Sequence, residues 1–298
     1  MTMKAWISAF RLRTLPLALS CIGMAGFLAA ADGSFHAGIF AMCCITTIFL
    51  QVLSNLANDY GDSVNGADHA GRKGPSRAVQ TGAITPSQMK MAVIIFVLLS
   101  LISGIYLLWL AFGWNAQAFL FFLALGLLSI AAAIAYTVGK KPYGYVGLGD
   151  ISVLLFFGLV GVLGSLYLFK GTFKLVEVLP ALSCGFFSIA VLNINNIRDI
   201  ESDRAAGKYS IPVRIGRDKA IIYHWFLLAA GFFAAVAHSV ATYRSGYQFL
   251  FLPVAFLLFR NGKAIASLPS EKLDPYLKQM ALTTLLFVIL FGTGLLLA

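Results

Sequence analysis

Apolar residues along this chain gather into runs of about 20, long enough as helices to cross a hydrocarbon core about 30 Å thick. Short stretches rich in Asp, Asn, Lys, Arg, Gly and Pro separate the runs. Backbone inside a membrane must satisfy its own hydrogen bonds, and continuous runs of this length do so as helices rather than as barrel strands. Nine spans are predicted, near 15–31, 36–57, 88–110, 114–136, 148–169, 177–197, 219–242, 246–260 and 279–297. The eighth is short and contains Pro253. Residues 4–14 (KAWISAFRLRT) carry Arg11 and Arg13 just before the first run, with no small-residue cleavage site after it. They read as an amphipathic segment on the membrane surface rather than a cleavable signal. The expected fold is an all-α integral membrane protein, nine transmembrane helices in one bundle forming a single domain over 1–298.

Composition agrees. The chain is 59% hydrophobic and 11% charged, against about 25% charged residues in a soluble domain. Its charge of +10 is unevenly placed. Of 22 basic residues, 19 fall at the N-terminus or in the loops near 58–90, 137–147, 198–219 and 260–278, and only Lys170, Lys174 and Arg244 lie on the other side. The positive-inside rule puts the richer side in the cytoplasm. Anionic lipid or an anionic substrate accounts for the excess, and no soluble basic domain suggests nucleic acid. The four cysteines lie within apolar spans and form no CxxC or Cys/His pattern, so they are expected to be small buried hydrophobes.

The polar residues are more informative. The second span ends in QVLSNLANDYGDSVNGAD (51–68) and the sixth in VLNINNIRDIESDRAAGK (191–208), a weak internal repeat at an offset of 140 that sets Asn55 on Asn195 and Asp59 on Asp199. Four spans separate the segments, so both emerge on one side. Asn55, Asp59 and Asp62 are spaced i, i+4, i+7, and Asn195, Asp199 and Asp203 are spaced i, i+4, i+8, each set on one helix face. Six of the chain's 12 acids fall here: Asp59, Asp62, Asp68, Asp199, Glu201 and Asp203. Carboxylates this close at a membrane boundary repel one another, and protonation or a bound cation relieves the repulsion. A plain alternative is a pair of solvated helix ends whose acids pair with Arg72, Lys73, Arg198 and Arg204. The oxygen-donor set lacks the spacing of an EF-hand and the Cys or His of a zinc site, and points to Mg²⁺ shared between carboxylates and substrate phosphates.

Cations follow the acids: Arg72, Lys73 and Arg77 after the first cluster, Arg204 and Lys208 after the second, and Lys140 and Lys141 in YTVGKKPYGYVGLGD (136–150). Acids for metal beside bases for oxyanions, at the mouth of an apolar bundle, suit a prenyl diphosphate. A secondary transporter binding coupling cations is the rival from another class, although its acids belong near the bilayer midplane. His36, His224 and His238 are expected to pack rather than react, and Gly158, Gly161 and Gly164 to let helices approach.

At NDYGD (58–62), which continues to Asp68, and at RDIESD (198–203), the chain resembles the UbiA superfamily of membrane prenyltransferases. Within it, SNLANDYGD (54–62), the GP-R-QTG pattern of 74–82, YTVGKKPYGYVGLGDISVL (136–154) and LNINNIRDIESDRAAGK (192–208) are similar to the MenA branch. Gly66 stands where the first motif usually has its third Asp, and Asp68 comes two residues later. The resemblance implies transfer of a polyprenyl chain from its diphosphate to 1,4-dihydroxy-2-naphthoate, with loss of diphosphate and CO₂. It implies Asp59, Asp62, Asp199 and Asp203 as catalytic residues, and these four with Asn55, Asn195 and Asp68 as Mg²⁺ ligands. Arg77, Lys140, Arg204 and Lys208 would contact phosphate oxygens, and Tyr136, Tyr145 or Asp150 would orient the naphthoate. Another acceptor, such as 4-hydroxybenzoate, is the alternative within the superfamily.

Overall fold

The computed structural model describes residues 3–65 and 77–298. Asp68, His69, Arg72 and Lys73 therefore lie outside the described residues. Among the described residues, nine helical segments are long and apolar enough to cross a membrane. In chain order the helices are α1 (Met3–Phe10), α2 (Leu15–Ala31), α3 (Ala37–Val64), α4 (Pro86–Phe112), α5 (Ala116–Ala135), α6 (Gly149–Lys170), α7 (Val178–Arg198), α8 (Ile200–Ala205), α9 (Ile211–Ile215), α10 (Arg217–Ala241), α11 (Val254–Ser267) and α12 (Asp274–Leu296). The middle of α6, Leu154–Gly164, is π-helical.

Three boundaries depart from the sequence reading, each for a local reason. Pro253 does not interrupt the eighth span but caps it: α11 starts at Val254 and runs to Ser267, with only a 3₁₀ turn over Gly246–Phe249 before it. Proline lacks the N–H that a helix interior needs, and its fixed φ suits a helix start. Arg260 and Lys263 are thereby carried on the last turns, where long side chains reach the interface. The second span continues to Val64, so Asp59 and Asp62 lie within α3 itself. The N-terminal segment does more than rest on lipid. Ala9 is buried, and Trp6 and Phe10 pack with it against Val52, Leu53 and Leu56 of α3.

Arg11, at the bend between α1 and α2, is the one described non-glycine residue with positive φ (48°). A side chain in that region costs about 1–2 kcal/mol, so contacts elsewhere must hold it there.

Without water to drive association inside a bilayer, helices pack through close approach of small residues. Gly158 of α6 meets Ala181 and Gly185 of α7, and Gly161 meets Cys21 of α2, as their spacing suggested. Gly231 receives the Phe187 ring, which belongs to a buried aromatic core with Phe251, Phe287 and Phe291. The described histidines pack or cap. His36 Nδ1 accepts from the Ile39 amide at 3.3 Å, His224 bonds Asn261 at 3.0 Å, and His238 lies against Phe291. At the end opposite the acidic motifs, Lys170 joins Asp32 to Glu177 (2.5 and 2.6 Å), tying α2 to the start of the Leu175–Arg198 span.

Candidate functional site

The last turns of α3 and α7 meet at one end of the bundle. On α3 the acids stay in regular helix, whereas α7 breaks at Asp199 (φ −101°, ψ 14°) and α8 carries Asp203. The repeat is therefore kept at Asn55/Asn195 and Asp59/Asp199, but its two halves deliver the next acid through different backbone. Asp59, Asp62, Asp199 and Asp203 are all buried.

Each acid is held by a cation of the chain. Arg11 pairs with Asp59, and Arg77 pairs with Asp62 while its Nε lies 3.5 Å from Asp59. Arg198 grips Asp199 with two bonds of 2.9 and 2.7 Å, and also reaches Asn195 (2.8 Å) and Asp274 (2.7 Å). Arg13 binds the other oxygen of Asp274 at 2.8 Å. Lys208 lies 3.1 Å from Asp203. Burial alone would lower the Lys208 ammonium, but Asp203 and Asp62 together raise it above its usual range. Asp203 is itself pushed up, chiefly by burial, against the pull of Lys208. The ammonium thus stands between the two clusters.

The loop after α5 completes the site. Thr137 donates to the Ala57 carbonyl (3.0 Å), and its own carbonyl accepts from Asn65 (2.8 Å). Gly61 permits this docking, because a Cβ there would sit 2.6 Å from the Thr137 backbone. Tyr145 is thereby placed to donate to Asp62 at 2.6 Å. Burial pushes the Tyr136 hydroxyl up to about 12 and, with Asp62, raises that of Tyr145 further.

Below this mouth a cavity of about 380 Å³ runs between α2, α3, α4, α5 and α6. Its α3 wall extends from Asn58 to Cys43, about 22 Å of helix at 1.5 Å per residue. Most of the lining is apolar, including Ile22, Leu107, Phe122, Phe156 and Leu168.

Not every expected residue joins the cluster. Arg204 is exposed and donates to the Val213 carbonyl (3.3 Å), and Lys140 is exposed and pairs with no described residue. Asp150 accepts from Tyr223 (2.8 Å). Asn55 uses its amide to anchor Phe10 O (3.0 Å) and Thr14 Oγ1 (3.2 Å), while its carbonyl oxygen accepts a long bond from Gln51 (3.4 Å). Sequence reasoning missed Arg11, Asp274 and Tyr143. Arg11 had a signal, a cation directly before the first apolar run, but nothing local showed that it folds back 48 positions onto Asp59.

The donors at this mouth are carboxylates and carboxamides, the hard oxygen set that suits a divalent cation of the Mg²⁺ type. Among the described residues no three acids, thiols or imidazoles converge at ligand distance; each of the four acids is instead paired with an arginine or lysine. The donor chemistry suits such an ion, and holding one there would require those cations to turn to another anion.

The UbiA prenyltransferase family model matches residues 18–272, and the chain belongs to that family. It is 46% identical to a 1,4-dihydroxy-2-naphthoate octaprenyltransferase of Haemophilus influenzae, over 99% of this chain and 96% of that protein. It is 44% identical to the protein of the same name in Escherichia coli, over 96% and 94%. Its fold matches a UbiA homolog from Aeropyrum pernix (TM-score 0.67, 19% identity, 97% and 98% covered). It also matches a UbiA homolog from Archaeoglobus fulgidus whose structure holds GPP and Mg²⁺ (TM-score 0.65, 18% identity, 97% and 100% covered). Family membership and the position of the acids at the helix ends set the transporter reading aside.

Proposed function

We propose that this chain transfers a polyprenyl group from polyprenyl diphosphate to 1,4-dihydroxy-2-naphthoate, releasing diphosphate and CO₂ and giving demethylmenaquinol for menaquinone biosynthesis. The observation that carries the reading is the meeting of two acidic helix ends and their cations at the mouth of a long apolar cavity. The two relatives above, alike over nearly their whole length, support the acceptor. The protein is a multi-pass membrane protein; its helical spans and bacterial relatives support the bacterial cytoplasmic (inner) membrane, and its charge bias supports an N-terminus and site facing the cytoplasm.

Asp59, Asp62 and the Asn55 carbonyl would hold one Mg²⁺, and Asp199, Asp203 and Asn195 another, with Asp68 a further candidate. Bound there, the metal neutralises charge that grows on the leaving diphosphate. Arg11, Arg77 and Lys208 then have phosphate oxygens as partners in place of the acids, and Lys140 and Arg204 would reach a diphosphate only by turning inward. Charge-assisted bonds of this kind are the strong ones. The prenyl tail follows the apolar cavity into the bilayer.

Turnover in detergent with polyprenyl diphosphate, with and without Mg²⁺, and with 1,4-dihydroxy-2-naphthoate or 4-hydroxybenzoate as acceptor, tests this. Mg²⁺-dependent product from the naphthoate alone is expected. Product from 4-hydroxybenzoate instead would overturn the acceptor, and no product from either would overturn the activity. Arg77→Ala is expected to raise KM for the prenyl donor about tenfold, the loss of one charged contact worth about 1.4 kcal/mol. An unchanged donor KM would exclude that contact.

A further inference from the structure

The cavity is not uniformly apolar. One turn inward from Asn55 its wall carries Gln51, and across from α3 come Tyr136, Tyr143 and Ser152. Tyr136 and Tyr143 meet edge to face, centroids 5.3 Å apart at 79°, which leaves aromatic surface for a third ring to pack on. The Tyr143 hydroxyl lies 2.9 Å from both the Ala132 carbonyl and Ser152 Oγ. A carbonyl can only accept, so Tyr143 donates to Ala132 and Ser152 donates to Tyr143. The lone pairs of Ser152 are then left to accept from a ligand hydroxyl. Gln51 makes only a long bond, 3.4 Å, from its amide to Asn55, and keeps a second N–H and its carbonyl oxygen to offer.

A hydrocarbon tail makes no use of such groups, whereas a flat dihydroxy acid does. We propose that the acceptor sits in this band, its ring on Tyr136 and Tyr143, a phenolic hydroxyl on Ser152 and its oxygen substituents on Gln51. The proposal rests on the prenyl-transfer reading above. The position is right for chemistry: Gln51 lies eight residues from Asp59, about 12 Å along α3, a span filled by a diphosphate and the first carbon of its chain.

The band carries a second consequence. None of the described residues lining the cavity is charged. Lys208 stands near Tyr136 at the mouth, so it is on the inner, Gln51 side of the band that the acceptor carboxylate is seated without a cation. A desolvated, unpaired carboxylate is raised in free energy, and loss of CO₂ relieves it. The ring carbon bearing the carboxylate forms its bond to the prenyl carbon as the C–O bond breaks, that electron pair leaving on diphosphate. The C–CO₂ bond then breaks and its pair restores the aromatic ring. Charge and protons balance with no external base, so an uncharged seat is sufficient. Gln51 and Ser152 here are positioning and specificity groups.

The test uses the full-length protein in detergent, with steady-state kinetics in both substrates and equilibrium dialysis of 1,4-dihydroxy-2-naphthoate. Gln51→Leu and Tyr143→Phe are expected to raise the naphthoate KM and its dissociation constant about tenfold while the donor KM stays within about twofold. A raised donor KM with unchanged naphthoate binding would overturn the seat and assign the band to the tail. Gln51→Lys is expected to bind naphthoate more tightly yet turn over more slowly, since an ion pair now stabilises the carboxylate that must leave. Faster or unchanged turnover would overturn the uncharged-seat argument. Ser152→Ala, which removes one oxygen, decides the seat by the same naphthoate measurements should a larger change fail to fold. If wild type itself makes no product with the naphthoate, the prenyl-transfer reading fails rather than the seat.

Discussion

Asp62→Asn is expected to lower kcat/KM by about a hundredfold or more while the protein inserts and purifies as wild type. The substitution keeps size and shape, and the carboxamide oxygen can still accept from Tyr145, which now bonds Asp62 at 2.6 Å. What is lost is one negative charge at the point where α3 faces both Arg77 and Lys208. With neutral Asn there, the first cluster retains only Asp59 among the described acids of α3 to hold a divalent ion. Asp199→Asn is expected to behave alike on the other half. Wild-type turnover in either variant, measured with saturating Mg²⁺ and both substrates, would remove these acids from the mechanism.

Arg198→Ala is expected to act on the fold instead. The arginine is 2% exposed and joins Asp199, Asn195 and Asp274, with Arg13 on the far oxygen of Asp274. It therefore fastens the end of α7 to the starts of α12 and α2. Removing one partner of a buried ion pair strands the other charge, at a cost of about 3–5 kcal/mol. Thermal denaturation in detergent should show a large drop, and Arg198→Lys should recover only part of it, since an ammonium cannot reproduce the two parallel bonds to Asp199. An unchanged melting temperature in the alanine variant would show that the junction is held by packing alone.

The nine spans and the two acidic motifs were legible because both are local. Hydrophobic run length reports a span directly, and i, i+4 spacing reports a shared helix face. What sequence could not show was the pairing. Arg77 is 15 residues from Asp62 and could be suspected, but Arg11 reaches Asp59 over 48 positions and Arg198 reaches Asp274 over 76. Such pairs depend on which helix ends meet, and no periodicity encodes that. Tyr143 was overlooked for a related reason. It sits among three tyrosines in one loop, and only the docking of Thr137 on α3 decides that Tyr145 turns to Asp62 while Tyr143 turns to the cavity. Pro253 misled in the opposite direction, since a residue read as an interruption marks a beginning.

Under the metal roles proposed above, the pairing of each described site acid with a cation of the chain would link metal and donor thermodynamically. A metal arriving alone must part Arg11 from Asp59 and Arg77 from Asp62, leaving guanidinium groups unsatisfied, and a diphosphate arriving alone meets cations already engaged. Together each supplies what the other displaces. Reciprocity then requires that the donor tighten metal binding by the same factor that metal tightens the donor. Because the chain balances its own charges, chelation should silence the enzyme without loosening its fold.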